Sequence, residues 1–284
     1  MAAVKKEVAG PALEGVVESP NDDVVVLSDA DEGFFQWLAV NYRMGIFSKE
    51  ISTQPHDSQT VLGVVDLDDA STQMAFVPQI EEQNVEDVTQ RMAFGHNYHL
   101  YSHSHLCYGM TTIGARYQTP PLGGGTVASL CHQRGLTVEV ASDDIFQTPC
   151  ATSAGEDVMS PSIPKPSVVR AKIKFKGDYS ASTCGRVIAA IFANGSFAKV
   201  HHPRLKGNFT AVHKLGEIVT SYKKANQTGK VTRTDFAAEI DKFCTRKWTN
   251  LSPEEQDTAE DRCLEGWIVR ELMEAYGFKN DTDW

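Results

Sequence analysis

The chain has no long apolar run, no surplus of basic charge and no paired-cysteine metal motif, and each absence removes a class of function. No window approaches 18 consecutive apolar residues, so no transmembrane helix is expected. Lys and Arg total 27 against 37 Asp and Glu, a formal net charge of −10. So acidic a chain lacks the cations that would neutralise a nucleic-acid backbone or an anionic membrane, although a small polyphosphate can still be held at a local cluster. None of the six cysteines lies in a CxxC, and no Cys/His set has zinc spacing. Gly123-Gly124-Gly125 follows Pro120-Pro121 rather than a strand and has no GK[ST] behind it, so it is a poor phosphate loop. Residues 1–21 carry Lys5 and Lys6 but no apolar stretch of seven, so they are read as an unstructured N-terminal segment without a signal peptide.

What is present points to an oxidising, secretory environment. Asn-x-Ser/Thr sequons occur at Asn194, Asn208, Asn226, Asn250 and Asn280, all after residue 190. They take five of the nine asparagines, more than chance placement explains, so glycosylation is expected. Cysteines 107, 131, 150, 184, 244 and 263 are even in number, which fits three disulfides with fifteen pairings open. The alternative is six buried thiols in a cytosolic protein. A secretory body without a leader suggests an N-terminus that is not the original one.

The pattern along the chain is α/β. Residues 22–28 read as a buried strand, 29–31 as a turn, and the stretch from Glu32 to about Ile46 as a helix, with Phe34, Trp37 and Leu38 at helical spacing. A strand at 61–67, a turn at 68–71 and a strand at 72–78 follow. Residues 90–94 form a further short strand. The stretch from His96 to Tyr108 alternates in part, and its histidines 96, 99, 103 and 105 have no carboxylate or cysteine at ligand spacing, so a strand is preferred to a metal site. Residues 109–135 read as loop with at most a weak helix, and 151–168 as a loop rich in Ser and Pro. A strictly alternating strand lies at 169–176, and helices lie at 180–193, 235–248 and 256–276, the last two carrying Cys244 and Cys263.

Three stretches in order carry a family resemblance. Val25-Val-Leu-Ser-Asp-Ala-Asp-Glu-Gly-Phe-Phe-Gln-Trp37 resembles the motif Ser-Gly-x-x-Glu-Gly-x-x-x-Trp of the apyrases, the ecto-nucleoside triphosphate diphosphohydrolases. Asp66-Leu-Asp-Asp-Ala-Ser-Thr-Gln73 resembles that family's Asp-Leu-Gly-Gly-Ala-Ser-Thr-Gln. Phe94 to Gly109 resembles its Tyr-Gly-x-x-Tyr-x-x-Tyr-x-His-Ser-x-Leu-Cys-Tyr-Gly. The likeness runs from about residue 22 to 284. It implies an actin/Hsp70/RNase-H-like fold, here part of the N-terminal lobe plus most of the C-terminal lobe of a two-lobed enzyme. Residues 22–284 would then be a partial apyrase domain truncated at both ends, without the family's first, second and fifth conserved regions. The resemblance also selects one pairing of the cysteines: Cys107–Cys150, Cys131–Cys184 and Cys244–Cys263.

The implied chemistry is hydrolysis of the terminal phosphate of nucleoside tri- and diphosphates, in the extracellular space or secretory lumen, with membrane anchors a property of full-length relatives. The resemblance makes Glu32 the base. Its plain alternative is a carboxylate answering the dipole at a helix N-terminus. Ser71 and Gln73 would orient the attacking water, and Asp66 would hold Ca²⁺ or Mg²⁺ through water. Without the resemblance these are turn-forming polar residues. Asp68, Asp69 and Ala70 occupy the phosphate turn, where the family has two glycines in place of the aspartates, and Asp29 replaces a third glycine. A carboxylate about 4 Å from a phosphate costs on the order of 1–4 kcal/mol per charge pair. The family's base-binding Phe-x-Ala-Phe-Ser-x-Phe-Tyr-Tyr reads Phe209-Thr-Ala-Val-His-Lys-Leu-Gly-Glu217, without its stacking aromatics. The rival to a hydrolase is therefore a catalytically inactive, glycosylated, apyrase-like binding or structural protein.

Overall fold

The computed structural model describes residues 27–47, 60–82, 85–119, 126–152, 171–223 and 231–278. Most of the expected strand at 22–28 and of the expected loop at 151–168 lies outside the described residues, as do the segment 1–21, the glycine run and two sequons (Asn226 and Asn280); Ala151 and Thr152 are helical.

Helix α1 (Asp29–Arg43) begins three residues earlier than its apolar pattern indicates, because Ser28 is its N-cap and accepts a hydrogen bond from Asp31 N–H. Asp29 to Asp31 are therefore the first helical turn. The helix buries Trp37 and Asn41 completely. Asn41 is the buried polar residue of the helix. Its amide donates to the Trp37 and Leu62 carbonyls and accepts from Leu62 N–H, which pins α1 to the start of the next strand.

That strand opens the main sheet. Strands β1 (Gly63–Leu67), β2 (Ser71–Phe76), β3 (Val88–Ala93), β4 (His96–Leu106) and β8 (Phe209–Val212) lie in the order β3-β4-β2-β1-β8. All neighbours are antiparallel except β1 and β8, which run parallel. A parallel neighbour requires a long crossover. The crossover holds a second sheet of β5 (Thr126–Ser129), β7 (Lys172–Gly177) and β6 (Thr137–Ala141), in that order, together with helices α2 (Met110–Tyr117), α3 (Ser142–Phe146), α4 (Pro149–Thr152) and α5 (Ala181–Ala193). After β8 come α6 (His213–Ser221), α7 (Arg233–Cys244), α8 (Pro253–Gln256) and α9 (Arg262–Ala275). The architecture is the mixed α/β arrangement that the resemblance implies.

Alternation along β1 and β2 divides the core in two. Val64, Ala75 and Val77 point to the α1 side and pack with Trp37, Tyr98 and Leu100. Val65, Leu67, Met74 and Phe76 point the other way, into the larger core with Ile188, Ile268 and Leu272. The smaller sheet carries its own cluster around Ile173, Phe175 and Val138.

Within 109–135, read as loop with at most a weak helix, residues 110–117 form a helix and 126–129 a strand. Of the four histidines near residue 100, His96 is on the opposite face of β4 from His99, His103 and His105, so they converge on no ion. His105 is not on an exposed face: it is buried and stacked on Phe197 with ring centroids 4.0 Å apart. The three disulfides are Cys107–Cys150, Cys131–Cys184 and Cys244–Cys263, the pairing that the resemblance selects.

Candidate active site

Cross-strand register brings the candidate residues together. In β1 and β2 Asp66 lies directly opposite Gln73, and Gln73 lies opposite Ser104 of β4. Opposed residues share a sheet face, and Ser71, two residues before Gln73, shares it too. Asp66, Ser71 and Gln73 therefore stand together on the α1 side of the sheet.

The Asp66 carboxylate is fully buried and held from two directions. Gln36 of α1 donates its amide to Asp66 Oδ2 at 2.5 Å. His213, the first residue of α6, places Nδ1 3.0 Å from each carboxylate oxygen. The Asp66 carbonyl accepts from the Thr72 hydroxyl at 2.5 Å, and Thr72 in turn accepts from Tyr276 at 3.2 Å. Glu32 lies one helical turn before Gln36, on the same stripe of α1. It is half-buried, and among the described residues its carboxylate has no hydrogen-bond or ion-pair partner. Gln73 is 2% exposed, and neither its amide nitrogen nor its amide oxygen has a partner. An orphaned buried amide costs about 1–3 kcal/mol, so Gln73 leaves hydrogen-bonding capacity open on the face of the sheet that carries Asp66.

The turn Asp68-Asp69-Ala70 is fastened from behind. Asp68 N–H donates to the Ser71 carbonyl at 2.9 Å. The first N–H groups of α2, from Met110 and Thr111, donate to the Asp68 and Asp69 carbonyls at 2.8 and 3.1 Å. Gly109 packs so tightly on the turn that an added Cβ would strike the backbone of Asp69, Ala70 and Ser71. Neither Asp68 nor Asp69 has positive φ. The family's glycines are therefore not needed here for backbone conformation, and the aspartates sit without strain. What they change is charge.

Cations answer that charge. His213 Nδ1 lies 3.9 Å from Asp68 Oδ1, and Lys214 Nζ lies 3.7 Å from Asp69 Oδ1 and 3.5 Å from Glu265. Burial, then the neighbouring Asp66 charge, raises the Asp68 carboxyl above the usual range, with His213 opposing. The hydrogen bond to Asp66 raises His213 above an ordinary histidine. His213 also has φ of +47°, a left-handed conformation that His tolerates better than most residues, and this aims its ring back across β1.

Sequence reasoning locates Glu32, Asp66, Asp68, Asp69, Ala70, Ser71 and Gln73, and misses Gln36, Thr72, His213, Lys214 and Tyr276. Gln36 carries a readable signal, four residues after Glu32. His213 carries only its position in a stretch already noted for lost aromatics. Phe209, from the same stretch, is buried against Phe76 and Phe278 and offers no platform for a base.

A profile of the GDA1/CD39 (nucleoside phosphatase) family matches residues 12–284. The chain belongs to that family. It is 25% identical over 278 residues to the ectonucleoside triphosphate diphosphohydrolase 1 of Mus musculus, which covers 91% of this chain and 52% of the relative. It is 29% identical over 274 residues to the ectonucleoside triphosphate diphosphohydrolase 8 of Rattus norvegicus, with 90% and 53% covered. The chain thus spans about half the length of the curated relatives it matches. A solved structure of nucleoside triphosphate hydrolases from Neospora caninum superposes with a TM-score of 0.58 at 12% identity, covering 88% of this chain and 57% of that one, which establishes the shared fold. Among the described residues no helix is long and apolar enough to cross a membrane.

Proposed function

We propose that this GDA1/CD39 chain carries the water-activating half of a nucleoside tri- and diphosphate hydrolase. The observation that carries the reading is the unpartnered, buried Gln73 amide, flanked on one sheet face by Asp66 and Ser71. In this reading Glu32 takes the proton of the attacking water, and Ser71 and Gln73 fix that water in line with the terminal phosphate. Glu32 suits the role because its carboxylate is uncommitted, whereas neighbouring Asp31 is tied to Ser28 and Arg91. Asp66 holds a divalent cation, Ca²⁺ or Mg²⁺, through water, and Gln36 and His213 keep the carboxylate oriented. When bound, that cation neutralises charge on the phosphate oxygens. The residues fit it: a fully buried carboxylate beside an orphaned amide is a prepared polar site.

One observation favours a second reading. Asp66, Asp68 and Asp69 place three carboxylates around the phosphate turn against His213 and Lys214, a balance suited to a non-catalytic binding module. Steady-state kinetics with ATP and ADP separate the two. The hydrolase reading expects cation-dependent phosphate release, abolished by EDTA, with kcat about 10²-fold lower in Gln73→Ala. Absent release from folded protein would leave the binding module standing, and cation-independent release would overturn the role given to Asp66.

A secretory setting is supported by the three disulfides and by exposure of Asn194, Asn208 and Asn250. Glycosidase treatment of protein secreted from a eukaryotic host should lower its mass. An unchanged mass would count against glycosylation at these sites.

A further inference from the structure

We propose that Asp66, Asp68 and His213 form a direct, inner-sphere site for a divalent transition-metal cation of the Mn²⁺ or Zn²⁺ class. One ligand atom from each residue lies within 4.8 Å of the others, and among the described residues this is the one such group of three. Two of the ligands stand where the family motif has other residues, glycine at 68 and serine at 213. The inference goes beyond the hydrolase reading and needs neither nucleotide nor turnover.

The spacing fits a metal. Ligands about 2.1 Å from an ion lie about 3.0 Å apart in an octahedron and about 3.4 Å apart in a tetrahedron. His213 Nδ1 lies 3.0 Å from both Asp66 oxygens and 3.9 Å from Asp68 Oδ1. An entering cation would take the place of the proton that His213 Nδ1 otherwise shares with Asp66, releasing it to solvent. The Asp66 side chain is fully buried, while those of Asp68 and His213 are 43% and 61% exposed, so the site has a fixed wall and an open mouth for a hydrated ion.

Charge points the same way. Lys214 answers Asp69, and once His213 ligates as a neutral imidazole the carboxylates of Asp66 and Asp68 together match a single dication. Gln36 already orients Asp66 as an outer-shell partner orients a ligand. The independent observation is Gln73. Its amide is 2% exposed, lies cross-strand from Asp66 on the same face and has no partner. A water on the cation would supply one. An imidazole with two carboxylates selects a borderline cation over Ca²⁺, which seeks six to eight oxygens.

The test is Mn²⁺ binding to the full chain without nucleotide, followed by electron paramagnetic resonance, with electron spin-echo modulation to detect a coordinated imidazole nitrogen. The expected result is one Mn²⁺ per chain with a ¹⁴N signature. Affinity should fall at least tenfold in Asp68→Asn and in His213→Ser, with the ¹⁴N signature lost in His213→Ser. Ca²⁺ should displace Mn²⁺ only at tenfold or greater excess over a stoichiometric competitor. Circular dichroism of each variant establishes that it is folded. Wild-type protein that binds no Mn²⁺, a signal without nitrogen modulation, or folded variants that bind as wild type does would overturn the site. Because hydrolysis is not read, a signal without nitrogen modulation, or variants that bind as wild type does, overturns this site while leaving the water-mediated cation of the hydrolase reading standing.

Discussion

His213 and Asp66 are 147 positions apart, yet the His213 ring nitrogen lies 3.0 Å from both oxygens of the Asp66 carboxylate. The contact exists because β8 runs parallel beside β1, with Val212 next to Asp66, and because the left-handed backbone at His213 turns the ring back over the strand. This one pair joins the acidic turn to the segment that has lost its aromatics. The two departures from the family pattern therefore meet in space and compensate in charge.

Acid should destabilise the fold through His105. Burial, with His103 and His202 nearby, lowers its pKa from an ordinary 6.5 to about 3. The unfolded chain therefore binds a proton that the folded chain refuses between those values. Stability is complete above about pH 6.5 and falls as pH drops toward 3, with a slope of up to ~1.4 kcal/mol per unit. Urea melts from pH 7.5 to 4.5 should show this loss, and His105→Phe should flatten it. An unchanged slope in the variant would assign the acid sensitivity elsewhere.

Gly109→Ala should weaken both fold and site. The added methyl would strike the backbone of Asp69, Ala70 and Ser71. Overpacking of this kind costs about 1–3 kcal/mol, and the displaced atoms include those that position Ser71. Chemical denaturation checks the stability, and a variant as stable as wild type would show that the turn yields without cost.

The disulfides should differ in worth. Cys131–Cys184 closes a sequence separation of 53 and Cys244–Cys263 one of 19. On chain-entropy grounds the longer loop contributes about 1 kcal/mol more. Paired Cys→Ala variants, compared by guanidinium melts, should rank in that order. The reverse order would mean that local packing around Cys244 and Cys263 dominates.

Much of the architecture was legible where periodicity was clean. The alternation of Ile173 and Phe175 with Lys172, Lys174 and Lys176 marked β7, and apolar spacing marked α5. The start of α1 was obscured because Asp29 and Asp31 look like turn residues, while the Ser28 cap makes them helical. Helix α2 is legible only as a weak helix without bounds, because its short sequence has a weak pattern and its first donors are stabilised by carbonyls of a turn some 40 residues earlier. The local half of the site, Asp66 to Gln73, was visible as a motif. The half supplied by His213, Lys214 and Tyr276 depends on the β1–β8 crossover and on α9 packing, which no local pattern encodes.

The central claim is that Glu32 acts on a water held by Ser71 and Gln73. Phosphate release from ATP and ADP, with Mg²⁺ or Ca²⁺ present, should be measured for wild type and Glu32→Ala, both shown to melt cooperatively. The account predicts release above blank from wild type and a fall of about 10²-fold or more without the carboxylate. No release from folded wild type, or equal release from Glu32→Ala, would contradict it.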